Sequence, residues 1–561
     1  MNNNELTEIL MNPKLPDFQT ILTRVSVNSL GKEGDRFSIK PSISADGRFI
    51  AFESTATNLV PGDTNNNSDV FVRDRLTEIT TRISVNSTEN QGKFDAFNPA
   101  ISADGRFVAF ESNSTKLVAA DTNNTSDIFL HDRLNGSTTR VSVDATGQEG
   151  DRPSLNPSIS ADGRFVAFES NSTNLVPGDT NNNSDIFIRN IETNTTTRVS
   201  VNSTGNQGNI GSFNPSISAN GRWVVFDSLA DNLVAGDTNS TRDIFLHEIP
   251  TNTTTRVSVN SSGNQGNSGS ISAAISADGR FVAFESNASN LVTGDINGTS
   301  DIFVHDRLTN TTSMASINST GDRANRSSFK PSISADARFV AFDSLADNLA
   351  PADTNGTNDI FVRDRDTATT TRISVNSEGQ GADITSFNPA ISATGNVVAF
   401  DSFATNLVPQ DTNSSRDVFI SHPVAVSSGT SENDTLIGNA DDDGISGGKG
   451  DDFWDGKSGG DTLFGGRGND TLNGGDGDDI LLGGKGRDKF ILQLQQGSDV
   501  ISDFKNGEDL FLLTGGLTYD QIRVFQTKDG AAIALVTNGE ILALLPDLPA
   551  NLLGFEAFTS V

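Results

Sequence analysis

The chain has 561 residues, with 40 Lys and Arg against 72 Asp and Glu, a formal net charge of −32. That length exceeds one ordinary domain. The charge excludes a general nucleic-acid binder, which needs a basic surface to displace counterions, and it disfavours adsorption to anionic lipid. Cysteine is absent, which excludes disulfides, thiolate zinc sites and cysteine nucleophiles, while surplus carboxylates suit hard cations.

Residues 1–20 read as a flexible leader. They lack a basic segment followed by an apolar run, so no secretory signal peptide is predicted. No stretch approaches ~20 apolar residues, so no helical membrane span is expected.

From residue 21 to 423 one phrase recurs. PSISADGRFIAFES at 41–54 returns six more times, and its turn residue falls at Asp46, Asp104, Asp162, Asn220, Asp278, Asp336 and Thr394. The step between copies is constant, without insertion or deletion. A repeat at fixed period decides the fold before any local reading. Each copy holds four strand patterns: a segment around Ile43, then RFIAFES, DVFVRDR and TTRISV. The columns of Ile43, Phe52 and Phe71 are invariant and predict a core between neighbouring sheets. TRVSV occurs first at 23–27, ahead of any ADG turn, and is missing after the seventh DVFI strand. Strand 23–27 is therefore expected to complete the last blade and remove an exposed edge. Together these features predict an all-β chain whose first domain is a seven-bladed β-propeller. The ADGRFVAF signature resembles the WD40-like repeats of TolB-type propellers. That resemblance implies the fold and says little about activity.

Catalysis needs residues that break the repeat. His131, His247 and His305 share a column with Arg73, Arg189 and Arg363, which reads as an exposed basic strand position. His422 stands at the domain boundary. Neither a GxSxG elbow nor an HExxH motif is present, so the propeller is read as non-enzymatic. The alternatives are a secreted polysaccharide hydrolase or lyase and a calcium-crosslinked surface-layer or matrix protein.

One loop per blade reads D-x-N-x-[NTS]-x-D. Its members are Asp63, Asn65 and Asp69; Asp121, Asn123 and Asp127; Asp179, Asn181 and Asp185; Asp237, Asn239 and Asp243; Asp295, Asn297 and Asp301; Asp353, Asn355 and Asp359; and Asp411, Asn413 and Asp417. Alternate oxygen side chains can wrap a calcium ion. The same residues also build Asx-turns in a long surface loop, and both readings stand. These loops and the inter-blade loops share one polar face, a candidate surface for an extracellular glycan or protein.

A Ser-rich joint at 424–428 leads into 429–491, where glycine is dense and the period becomes nine. Asp434, Asp443, Asp452, Asp461, Asp470, Asp479 and Asp488 are nine apart. An apolar residue follows two positions after each: Leu436, Ile445, Trp454, Leu463, Leu472, Leu481 and Phe490. The fullest copies add Gly447, Gly448 and Gly450; Gly465, Gly466 and Gly468; Gly474, Gly475 and Gly477; and Gly483, Gly484 and Gly486. Glycine permits left-handed turns and close approach of carbonyls to an ion, Asp adds a charged ligand, and the apolar residue starts an inward-facing strand. A nonapeptide is then half a coil, so alternate loops stack and sandwich Ca²⁺. The best sites are expected between 447–452 and 465–470 and between 465–470 and 483–488, since GTSEND, GNADDD and GKSGGD are degenerate. Acidic residues outnumber basic ones more than two to one in this array, so the roll should fold only on binding calcium.

The array resembles the RTX (repeats-in-toxin) family. Residues 497–513, GSDVISDFKNGEDLFLL, resemble the cap of serralysin-type rolls, and IRVFQ, AAIALV and EILALL extend a C-terminal β cap within 492–561. The resemblance implies Ca²⁺ as cofactor, the type I secretion machinery as partner, a C-terminal export signal and an extracellular location.

Overall fold

The computed structural model describes residues 22–560 apart from 76, 120, 352, 377–378, 410, 422–425, 429–431, 439–442, 528–529 and 547. The leader at 1–20, His422 and part of the 424–428 joint lie outside these residues. Regular structure among the described residues consists of strands and three short 3₁₀ turns. The chain divides into two units, Leu22–Pro423 and Val424–Val561.

The first unit is a ring of seven four-stranded antiparallel sheets. In blade one the strands are Ser38–Ile43, Phe49–Ser54, Asp69–Asp74 and Ile79–Arg82. The innermost strands of blades two to seven begin at Ala96, Ser154, Ser212, Ser270, Ser328 and Ser386. The S-A-D-G-R turn is set by its own side chains. Ser44 Oγ donates to Asp46 Oδ1 at 2.5 Å, the same oxygen accepts the Arg48 N–H at 2.9 Å, and Gly47 takes a left-handed φ of 74°. Blade seven takes its outer strand from the start of the ring: Leu22 pairs Ser421, Thr23 pairs Ile420 and Arg24 pairs Phe419.

Two kinds of contact join the blades. Within each sheet the paired Phe columns stack, as Phe52 on Phe71 at 6.0 Å, and both rings are fully buried. Each pair packs on the neighbouring sheet: Ile50, Phe52 and Phe71 cluster with Val397, Ala399, Val418 and Ile420 of blade seven. A closed circle of backbone hydrogen bonds supplements this core. Ala45 N–H donates to the Ala103 carbonyl, Ala103 to Ala161, and so on through Ala219, Ala277, Ala335 and Ala393, which donates back to Ala45 at 2.9 Å.

The second unit is a parallel β-roll of two sheets. One runs through Gly444–Ser446, Thr462–Arg467, Ile480–Lys485 and Asp499–Ile501, the other through Thr435–Ile437, Phe453–Asp455, Thr471–Asn473, Lys489–Leu492 and Leu510–Leu513. Strands two repeats apart pair in register, so Ile445 lies beside Leu463, and Trp454 beside Leu472. The apolar column from Ile445 to Phe490 fills the narrow interior. Ile541–Pro546, Gly530–Leu535 and Ile522–Gln526 extend the first sheet, and Phe558–Ser560 the second.

The ADG turn gives a direct test. A Cβ at Gly163 would strike the Phe107 ring, whereas blade six carries Ala337 at a left-handed φ of 64°. Strain of roughly 1–2 kcal/mol is expected for a non-glycine residue there. Ala337→Gly should raise propeller stability by about 0.5–1 kcal/mol after the entropy cost of glycine, and Gly163→Ala should lower it by about 2 kcal/mol. Denaturant midpoints of the two variants measure both signs.

Candidate metal centre

In the roll, loops two repeats apart stack. Asp452 N–H donates to Asp470 Oδ1 at 2.9 Å, and Asp470 N–H to Asp488 Oδ1 at 3.0 Å. The same ladder on the opposite side joins Asp443 to Asp461 and Asp461 to Asp479. Each Asp thus uses one oxygen to hold the previous loop in register. The other oxygen is the chemically active one. Oδ2 of Asp452, Asp470 and Asp488 is buried without a hydrogen-bond partner. A buried anion without a counter-charge is costly.

The glycines complete a cradle around those oxygens. The space that a β-carbon would fill at Gly465 is bounded by the Gly483 carbonyl oxygen at 2.5 Å and Asp470 Oδ2 at 2.6 Å. At Gly447 it is bounded by the Gly465 carbonyl and by Asp452 Oδ2. Gly448, Gly450, Gly466, Gly468, Gly484 and Gly486 all have left-handed φ, which turns the loop around this space. A carbonyl and a carboxylate converging on a space too small for a methyl group are the donor set of a hard cation. Gly447–Asp452, Gly465–Asp470 and Gly483–Asp488 therefore come together on one side of the roll and fit Ca²⁺.

The loop ending at Asp461, degenerate in sequence, keeps the same turn on the other side. Lys457 takes a left-handed φ of 81° where the four fullest copies have Gly. Gly456 and Gly474 face Asp461 and Asp479 as Gly465 faces Asp470, and the Gly475 and Gly477 turns are also left-handed. Stacked loops thus occur on both sides of the roll. Asp434 donates its N–H to Asp452 Oδ1 and heads the first column.

Three residues of the arrangement escaped the nine-residue period. Asp499 Oδ1 accepts the Asp479 N–H and Asp509 Oδ1 accepts the Asp488 N–H, extending both columns at spacings of 20 and 21. Asp503 accepts the N–H groups of Gly483 and Gly484. The signal that could have found Asp499 and Asp509 is their place in GSDVISDFKNGED, two residues before Ile501 and Phe511 as in the nonapeptides.

Burial, then the neighbouring Asp488 and Asp452 carboxylates, push Asp470 up to about 6, against the opposing Asp452 N–H bond. Burial likewise raises Asp452, Asp488 and Asp509. Asp499 is raised by burial and then by the Asp479 carboxylate beside it.

The propeller loops set their carboxylates beside guanidinium groups, and in two of them a third acid joins the pair, Glu149 beside Asp121 and Asp127 and Glu33 beside Asp411 and Asp417. Arg82 Nη1 lies 3.7 Å from Asp63 and 4.0 Å from Asp69. Ser84 donates to Asp69 Oδ1, and Gln91 Nε2 to both acids at 2.8 Å. Asn65 presents its amide N–H to Asp69, while its carbonyl accepts the Asn67 N–H in an Asx-turn. Asn123, Asn181, Asn239, Asn297, Asn355 and Asn413 donate to Asp127, Asp185, Asp243, Asp301, Asp359 and Asp417 in the same way. Arg198 reaches Asp179 at 3.3 Å, Arg256 reaches Asp237 at 3.4 Å, Arg372 reaches Asp353 at 3.1 Å and Arg24 reaches Asp411 at 3.0 Å. Arg140 sits 3.5 Å from Asp127, beside Asp121 and Glu149. In blade five, Met314 replaces this arginine, and Arg323 supplies the attraction to Asp295 and Asp301. Each Asp pair thus faces a guanidinium.

The His/Arg column is not exposed, contrary to the sequence expectation. His131, His247 and His305 are buried, as are Arg73, Arg189 and Arg363. Thr138 donates to the Val85 carbonyl of the preceding blade, and its Oγ1 meets His131 Nδ1 at 2.9 Å. Arg73 meets Thr80 in the same position. The column is a latch between blades. Burial pulls His247 down to about 4, which keeps it neutral.

Residues 426–453 and 455–490 match the RTX calcium-binding nonapeptide repeat family. Solved structures similar to the chain include TolB from Acinetobacter baumannii, at 16% identity and TM-score 0.34, covering 61% of this chain and 64% of that one. The chain therefore spans less than two thirds of the length of that TolB. An oligogalacturonate lyase in complex with manganese aligns at 11% identity and TM-score 0.44, covering 72% and 96%. The β-propeller domain of the trilobed protease from Pyrococcus furiosus aligns at 13% and 0.42, covering 69% and 95%. No curated protein sequence is significantly similar. The chain is a propeller protein carrying RTX calcium-binding repeats.

Two outcomes follow from the site. Asp470→Asn should weaken the calcium response of the roll about tenfold or more, whereas Asp69→Asn should leave it unchanged; calcium titrations of each variant decide this. Without calcium, the raised value of Asp470 means that protonation favours the fold. Order in the calcium-free roll should be greatest below about pH 4 and be lost as pH rises through about 6, read by Trp454 fluorescence.

Proposed function

We propose that this protein is exported unfolded in its C-terminal part and becomes a working extracellular protein when Ca²⁺ folds the roll. The propeller is then a non-catalytic recognition module that presents a polar face to an extracellular glycan or protein. The observation that carries the calcium step is the row of buried, unpartnered Oδ2 atoms on Asp452, Asp470 and Asp488. Extracellular calcium modules bind at about 10⁻⁴–10⁻³ M, so such a roll stays open in a calcium-poor cytoplasm and closes outside. Type I secretion machinery, which passes unfolded chains, is the matching export route. The recognition reading is supported by the polar loops joining the second and third strands, which hydrogen-bond to the inter-blade loops, as Asn65 to Gly92 and Asn67 to Lys93. A non-catalytic ring is supported by the latch role of His131, His247 and His305.

The chain carries a convenient reporter. Of its two Trp residues, Trp454 is fully buried in the roll core. In a Trp223→Phe background, adding Ca²⁺ up to about 10 mM should shift Trp454 emission to the blue with an increase in β signal, and Mg²⁺ should not. An unchanged spectrum with Ca²⁺, or an equal response to Mg²⁺, would sink the reading.

A further inference from the structure

An open central channel of the propeller, about 380 Å³ in volume, is lined by two consecutive residues from the innermost strand of each blade. The first of each pair sits in a bulge with left-handed backbone, including Lys40 at φ 51° and Lys330 at φ 48°. Non-glycine residues hold this conformation only when the surroundings over-determine it. Here a column of buried acids does so. Asp401 accepts the Lys40 N–H at 2.9 Å, Glu53 that of Asn98 at 3.0 Å and Glu169 that of Asn214 at 3.0 Å.

The acids also fix the lining amides. Nδ2 of Asn98, Asn214 and Asn388 donates to Glu111, Asp227 and Asp401. Two of the acids are paired by guanidinium groups, Asp227 with Arg242 and Asp401 with Arg416. The two lysines stand apart from those pairs. Lys40 Nζ donates to Asn98 Oδ1 at 2.6 Å and lies 3.9 Å from Glu53; Lys330 Nζ donates to Asn388 Oδ1 at 2.6 Å. Each ammonium has three donors and places one on an amide. Only blade seven separates them, so both ammonium groups stand on one arc of the lining, where Lys40 faces the buried Glu53 and Lys330 the buried Glu285 and Asp343. The opposite arc, Asn156, Asn214 and Ser272, is neutral and polar.

We propose that this channel binds a small hydroxylated carboxylate. Lys40 and Lys330 take its carboxylate by charge-assisted hydrogen bonds, and the amide arc with Ser272 takes its hydroxyls. The volume suits a molecule of about monosaccharide size. This deepens the reading of the ring as a recognition module and does not depend on the calcium step.

The test is calorimetry on the full-length protein in Ca²⁺ with gluconate and galacturonate as probes, and glucose as the neutral control. The acids should bind and glucose should not. Lys40→Gln with Lys330→Gln should weaken binding at least about tenfold, while the Lys→Arg pair should retain most of it. Because the glutamine variants could unfold, a second measurement uses the unaltered protein. Gluconate should protect Lys40 and Lys330 from acetylation, read by peptide mass. Absence of binding by either acid up to about 10 mM, equal binding of glucose, or unprotected lysines would overturn the proposal. A glycan that binds the native and Lys→Gln proteins equally would belong to the loop face, overturning the channel site while leaving the recognition module standing.

Discussion

The structure depends on how buried carboxylates are neutralised. Both units place columns of aspartate where water is excluded, and a carboxylate there must find a positive partner or keep its proton. In the propeller the loop acids face guanidinium groups, and the channel acids take either a guanidinium or a neutral Ser or Asn donor. Arg82 and its equivalents, or Arg323 in blade five, face the loop acids, and Arg242 and Arg416 pair the channel acids Asp227 and Asp401. In the roll the chain supplies backbone N–H groups to one oxygen of each Asp and leaves Oδ2 of Asp452, Asp470 and Asp488 facing a glycine cradle. The same residue type therefore faces a guanidinium in the propeller loops and a cation-sized cradle in the roll.

The contrast follows from local sequence. A propeller loop runs from Thr55 to Ser68 between its strands in blade one, long enough for Asn, Gln and Arg side chains to fold back on the acids. A roll loop runs only from Gly456 to Asp461, rich in glycine, between short strands. Its one long basic side chain, Lys457, pairs with Asp455 and not with Asp461, so the interior of the turn is formed by the Asp461 carboxylate and the Gly474 carbonyl.

Much of this was legible in the sequence because the chain repeats itself. The constant step of the longer repeat gave the strand count, and the displaced TRVSV segment has its partner in the seventh blade, where Arg24 pairs Phe419. The nine-residue step gave the roll, its inward column and the stacking of alternate loops. What escaped was whatever departs from period or depends on a partner distant in sequence. Asp499 and Asp509 continue the columns at changed spacing. The His131 column looked exposed because its Thr partner comes from the next strand and its anchoring carbonyl from the preceding blade. The channel acids hid because their column mixes Glu and Asp, each matched to a residue 15 positions on: Ser300 for Glu285, Arg242 for Asp227, Asn358 for Asp343. A shorter acid takes a longer partner, which is visible only once the strands are paired.

Hydrogen exchange with and without calcium separates the two solutions most directly, since it reports protection segment by segment. Strands of the propeller, such as Phe49–Ser54 and Asp69–Asp74, should be protected in both conditions. Strands of the roll, from Thr462–Arg467 to Leu510–Leu513, should be protected only with Ca²⁺. Protection of the roll in a chelator, or loss of protection across the propeller on calcium removal, would contradict the account.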